Sequence, residues 1–133
     1  MDNTAPLLQI DDLSACIKNE DQILFPLQGV SFSIGRNTRM ALVGESGSGK
    51  SLTAAAILGM LPPGSQVTRG SIIMGDRNLV SLPEKLLQKI RGKEISIVFQ
   101  NPGASLNPVR TVGSQIAEIL RVHEKLSRQK SNQ

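Results

Sequence analysis

The sequence predicts an α/β fold, and three observations carry that prediction. Gly44, Glu45, Ser46, Gly47, Ser48, Gly49, Lys50 and Ser51 match the glycine-loop pattern G-x-x-x-x-G-K-[ST]. The loop stands between an apolar, strand-type run at 40–43 and an Ala-rich, helix-prone run at 52–58. Beyond it, short β-type runs alternate with helical periodicity, the pattern of a sheet covered by helices.

The elements follow in chain order. Leu7, Leu8, Gln9 and Ile10 form a first strand, which Asp11 and Asp12 close; Cys16 and Ile17 continue it beyond a bend. Residues 19–22 are a polar turn. Val30, Phe32 and Ile34 alternate with serines, so one face of a second strand is apolar. Gly35, Arg36 and Asn37 turn the chain into the strand at 40–43 and the loop. The helix after the loop stops at Pro62, Pro63 and Gly64.

Residues 70–76 read as a strand bounded by Gly70 and Gly75. Ser81 and Glu84 have capping-box spacing, ahead of a helix over 82–91 with Leu82, Leu86, Leu87 and Ile90 on one side. A strand over 94–99 ends at Gln100. Asn101, Pro102, Gly103, Asn107 and Pro108 punctuate a loop. A last helix starts near Thr111, with Val112, Ile116, Ile119, Leu120 and His123 on one face; residues 127–133 are a polar, frayed tail.

Bulk composition narrows the function classes. The chain of 133 residues is long enough for one domain with a core. Aromatics make up 2%, with no Trp or Tyr, so Ile, Leu, Val and Met must build that core. The net charge is +4, but the basic residues are scattered among acidic ones, which reads as a solvated surface and not as a nucleic-acid face. Cys16 is the single cysteine, which excludes an internal disulfide and fits a reducing compartment. No run reaches the ~18 apolar residues of a membrane span, and the N-terminus lacks the basic start and apolar stretch of a secretion signal.

The glycine loop carries the chemistry. Glycines at 44, 47 and 49 allow backbone conformations that a Cβ would obstruct, so successive N–H groups can form an anion nest. The helix that follows turns its positive end towards the same place. Lys50 can reach the β- and γ-phosphates of a nucleotide, and the Ser51 hydroxyl can ligate Mg²⁺. Leu52 completes the binding stretch. Gln100 offers an amide oxygen at the end of an apolar strand, where a metal or a water could use it.

With these residues in view, the chain resembles the ATP-binding subunits of ABC transporters, in the branch of oligopeptide, dipeptide and nickel importers. The resemblance rests on residues 43–51, 58–62 and 90–100, then on Ser105, Leu106, Asn107 and Pro108, and on Thr111, Val112, Gly113, Gln115 and Ile116. It implies a truncated P-loop NTPase core with a small N-terminal antiparallel β subdomain. Residues 1–133 would be the N-terminal part of the ATP-binding domain, holding the β subdomain, the Walker A loop, the Q-loop and the start of the helical subdomain. The implied ligands are ATP and Mg²⁺, with Lys50 and Gln100 as catalytic residues and Ser51 and Gln100 as metal contacts. The implied partners are a membrane permease docking beside 101–111 and a second ATP-binding subunit, with no nucleic acid. The implied location is the cytoplasmic face of the cell membrane, and the implied cargo is peptide, with nickel or another small solute as the alternative.

The sequence also departs from that family. The signature stretch, the strand ending in Asp-Glu and the switch histidine do not occur, so hydrolysis by this chain alone is not expected; His123 reads as a helix-face residue. Ile17 falls where an adenine-stacking aromatic is usual, Arg36 where Glu is common, and Asn101 where Asp is frequent. The competing readings are another P-loop class, such as a small-molecule kinase, GTPase or DNA-handling ATPase, and a non-hydrolysing nucleotide-binding fragment. No guanine-reading Asn-Lys-x-Asp stretch is present. Parallel strands are normally buried on both faces, so the isolated chain is expected to expose strand edges and to aggregate or order only in part. Thermal melting checks this: a sharp two-state transition of a soluble monomer would contradict it.

Overall fold

The computed structural model describes residues 5–100, 103, 106–124 and 127. The chain divides into two compact units, residues 1–87 and 88–133. The first holds an antiparallel sheet and one helix. Its strands are β1 (Leu8–Lys18), β2 (Ile23–Ile34), β3 (Ser65–Met74) and β4 (Arg77–Asn78), in the order β2-β1-β3-β4. Helix α1 (Lys50–Ile57) follows the glycine loop, and a 3-10 turn at Leu79–Ser81 follows β4. Helix α2 (Glu84–Ile90) runs across the boundary, and the second unit holds α3 (Val112–Glu124).

The predicted antiparallel front piece is present and larger than its sequence signals. β1 is central, pairing Leu8 with Ile34 on one side and with Met74 on the other. Ile10, Leu13, Leu27 and Ile72 are its most deeply buried large side chains. Each contributes on the order of 1.5–3 kcal/mol of transfer free energy on burial.

The bend foreseen at Asp11 and Asp12 has a specific construction. Buried positions in β1 are even at Leu8 and Ile10 but odd at Leu13 and Ala15. A strand keeps side chains on one face every second residue, so one residue must absorb the phase change. Asp12 does so in the left-handed region, with φ 48°. The neighbouring strands yield at the same level, through Gly29 (φ 67°) and Gly70 (φ 91°). Side chains stitch the irregularity. The Asp12 N–H donates to Ser31 Oγ at 2.8 Å, and the Gly29 N–H donates to Ser14 Oγ at 2.9 Å. The Arg69–Asp12 ion pair at 2.7 Å is half-exposed and adds little.

Four expectations are corrected. Residues 40–43 and 95–99 lie outside every helix and strand, although Arg91 and Ile95 make one isolated parallel bridge. A strand is defined by its ladder, and none of the four strands of the sheet pairs with them. The capping box is not where α2 begins: Asn78 Oδ1 accepts the Val80 N–H at the 3-10 turn, and Ser81 Oγ donates to the Asn78 carbonyl. A proline at 83 then sets the helix start, with its carbonyl accepting from Leu86 and Leu87. In α3, Val112, Ile116, Ile119 and Leu120 are exposed and Ala117 is the buried residue. The predicted strand at 70–76 is longer, beginning at Ser65.

The remainder of α3 follows its sequence signals. Thr111 Oγ1 accepts the Ser114 N–H at 3.3 Å as an N-cap. Gln115 ties the helix to the preceding loop, accepting from the Asn107 N–H and donating to the Asn107 and Arg110 carbonyls. Arg110 pairs with Glu118. His123 packs on Gly92, where a Cβ would lie 2.9 Å from its Nε2. Asn101, Pro102, Ser105 and the tail, Ser127 apart, lie outside the described residues.

Gly70 tests the irregularity. A Cβ there would sit 2.5 Å from the Asp11 carbonyl oxygen, on a backbone already at positive φ. Gly70→Ala is expected to cost about 2 kcal/mol or more, read as a lowered urea midpoint.

Candidate functional site: the glycine loop and the start of helix α1

The loop at 44–51 is built by three glycines used in three different ways. Gly47 has φ 82° with open space around its Cα, so only backbone conformation demands glycine there. Gly49 has φ 87° and also lies against β2, where a Cβ would be 2.6 Å from Leu27 Cδ2 and 2.9 Å from the Pro26 carbonyl oxygen. Gly44 does not have positive φ; a Cβ there would be 2.8 Å from Ser48 Oγ. The turn is closed by the Ser48 N–H donating to the Glu45 carbonyl at 3.2 Å.

Gly49 is the N-cap of α1, and no side chain caps the helix. The first turn carries no acidic residue. The first N–H groups of a helix lack intrahelical acceptors and carry the positive end of its dipole. With neither a capping oxygen nor a carboxylate of its own, α1 offers that end to an anion from outside.

Lys50 is the second feature. Its Nζ donates to the Gly44 carbonyl at 2.8 Å, to the Glu45 carbonyl, and to Ser48 Oγ at 3.0 Å. The side chain therefore arches back over the loop. Ser51, next in the helix, is exposed, and Leu52 is half-buried. Glu45 and Ser46 are exposed. The structure thus brings Gly44, Glu45, Ser46, Gly47, Ser48, Gly49, Lys50, Ser51 and Leu52 into one continuous segment at the head of α1. Gln100 belongs to the other compact unit, where it is exposed.

Three contributors escaped the sequence reading. Thr53 is buried, and its Oγ1 donates to the Gly49 carbonyl at 2.9 Å, beside the Thr53 N–H bond to the same oxygen at 2.8 Å. A Thr four residues beyond the last loop glycine is a readable signal, since Ser and Thr in helices often bond back to residue i−4. Leu27 and Pro26 seat Gly49, and no local pattern announces a contact that distant in sequence.

Magnesium ions keep several waters and are held by one or two protein oxygens together with substrate phosphates. An exposed Ser51 hydroxyl at the helix head fits that demand. Among the described residues no group of three His, Cys, Asp or Glu could hold a metal by itself. No helix among them is long and apolar enough to cross a membrane.

Residues 27–133 match the family described as ABC transporter. The oligopeptide transport ATP-binding protein OppD of Bacillus subtilis is 44% identical over 124 residues, covering 92% of this chain and 35% of OppD. The peptidoglycan transport ATP-binding protein YejF of Agrobacterium fabrum is 41% identical, covering 94% of this chain and 23% of YejF. The chain therefore spans about a third or less of these relatives. Among solved structures, the ATP-binding cassette MJ0796, a dimer bound to ADP and phosphate, superposes with a TM-score of 0.75 at 21% identity. That match covers 94% of this chain and 52% of the cassette, and it identifies the fold.

The two strained glycines separate backbone strain from crowding. Gly47→Ala should cost about 1–2 kcal/mol, the left-handed penalty alone. Gly49→Ala should cost about 1–3 kcal/mol more, because Leu27 and Pro26 must move. Urea denaturation of the two variants side by side measures the difference.

Proposed function

The chain belongs to the ABC transporter family, and on that premise we propose that it is the nucleotide-binding part of an import ATPase whose cargo is peptide. The observation that carries this reading is the Lys50 ammonium arched over a glycine loop whose helix has no cap of its own. The bound species would be Mg-ATP. Its phosphates would lie against the free N–H groups at the head of α1, with Lys50 countering their charge. Ser51 would supply the protein oxygen to Mg²⁺ at the helix head. When bound, the metal would neutralise charge building up on the phosphates.

Gln100 would contribute its amide to the metal or to the attacking water. Residues 101–111 would lie beside the docking surface for a membrane permease. A second ATP-binding subunit would complete the catalytic arrangement, at the cytoplasmic face of the membrane. The names of OppD and YejF support peptide-type cargo, and nickel or another small solute is the alternative. Phosphoryl transfer depends on positioning and charge neutralisation. The residues on this chain account for holding the phosphates better than for activating water.

Isothermal titration with Mg-ATP tests the reading. Lys50→Ala should weaken binding by about tenfold or more, the loss of a charge-assisted contact. Equal affinity for wild type and variant would remove the phosphate-loop assignment. In the assembled transporter, Gln100→Ala should lower turnover by about tenfold or more and affinity by less.

A further inference from the structure

We propose that the Ser48 hydroxyl occupies the third Lys50 donor until a phosphate replaces it, and that residue 44 is glycine because of the Ser48 hydroxyl. The proposal rests on the phosphate-loop reading of this segment and adds the partner that its lysine exchanges for phosphate.

An ammonium group has three donors and no acceptor. In Lys50 the three partners are the carbonyls of Gly44 and Glu45 and the Ser48 hydroxyl. The two carbonyls belong to the backbone of the loop and fix the direction of the arch. Ser48 Oγ is the only partner on a side chain, and it is the longest of the three contacts, at 3.0 Å. It is also a neutral acceptor. An anionic phosphate oxygen makes the stronger bond to an ammonium. The hydroxyl is therefore the partner that a phosphate replaces, while the carbonyls keep the lysine aimed.

Gly44 belongs to the same device. Its φ lies outside the left-handed region, so no left-handed backbone demands glycine there. What excludes a side chain is space. A Cβ would lie 2.8 Å from Ser48 Oγ, but 3.5 Å from Ser48 Cβ and 4.0 Å from Lys50 Nζ. Only the hydroxyl is too close. A methyl at 44 would turn that hydroxyl about χ1 and away from Lys50. Gly44→Ala and Ser48→Ala thus delete one contact by two routes, so their effects should not add.

The experiment follows the Lys50 ammonium directly, by NMR of its ¹⁵Nζ protons in the full chain without nucleotide. Lys50 protons should exchange with water more slowly than those of the other lysines. Ser48→Ala, Gly44→Ala and the double variant should each lower that protection to the same extent, and Ser48→Thr should retain it. In titrations with Mg-ATP the same three variants should bind about two- to fivefold more tightly than wild type, because a phosphate then displaces one partner fewer. Unchanged protection in Ser48→Ala, additive effects in the double variant, or weaker Mg-ATP binding would overturn the proposal. If Lys50→Ala leaves Mg-ATP affinity unchanged, the functional reading falls, and the exchange series still decides the contact.

Discussion

The placement of the glycine loop and of α1 depends on one close approach, that of Gly49 to β2. The loop must pass near enough to the sheet for Leu27 Cδ2 and the Pro26 carbonyl to occupy the space a Cβ would need. Leu27 is itself buried at 1% exposure and pairs with Ala15, which has no exposure at all. The contact therefore ties the head of α1 to a buried position on the edge strand β2. Thr53 secures the far side of the same residue by bonding twice to the Gly49 carbonyl. Held between a buried leucine and a buried threonine, Gly49 becomes the fixed point from which Lys50 can arch backward and Ser51 forward.

The antiparallel sheet was legible because its signals are local. Alternation at Val30, Phe32 and Ile34 and the break at Asp11 and Asp12 are periodicity and punctuation, which a few residues carry by themselves. The extent of the sheet was not. Residues 65–69 and 23–27 gain strand character from their partners on β1, and pairing energy does not appear in either segment alone. The start of α2 misled for a related reason. Ser81 and Glu84 have the spacing of a cap, but a 3-10 turn at Leu79–Ser81 intervenes with Asn78 as its cap, whose side chain accepts the Val80 N–H.

The candidate site divides the same way. The glycine loop could be read residue by residue, because phosphate binding imposes residue types at fixed offsets. That reading treated the three glycines as alike, and the structure distinguishes them: Gly47 serves conformation, Gly49 serves conformation and packing, and Gly44 serves space alone. Leu27 and Pro26 could not have been found, since more than twenty residues separate them from Gly49. Gln100 was picked out by its place at a strand end, and the structure forms no strand over residues 96–99, with Val98 at 87% exposure.

That exposure follows from the kind of strand these residues encode. Val43 is 89% exposed, and Met40, Leu42 and Phe99 are each more than 40% exposed. A soluble surface does not ordinarily present contiguous apolar residues of this kind. Runs such as 40–43 and 95–99 carry apolar residues on both faces, the pattern of parallel strands that are covered on each side. The sheet present here is antiparallel, and its β1 side chains alternate between core and exterior. It offers such runs neither a parallel neighbour nor a second covered face. The exposed stripe of α3, from Val112 to Ile119, obeys the same constraint, because an amphipathic helix is stabilised mainly by what its apolar face buries. The chain thus contains one sheet that satisfies itself and several elements whose apolar faces ask for partners. The glycine loop is seated on the sheet at Gly49 and continuous with the exposed run that ends at Val43.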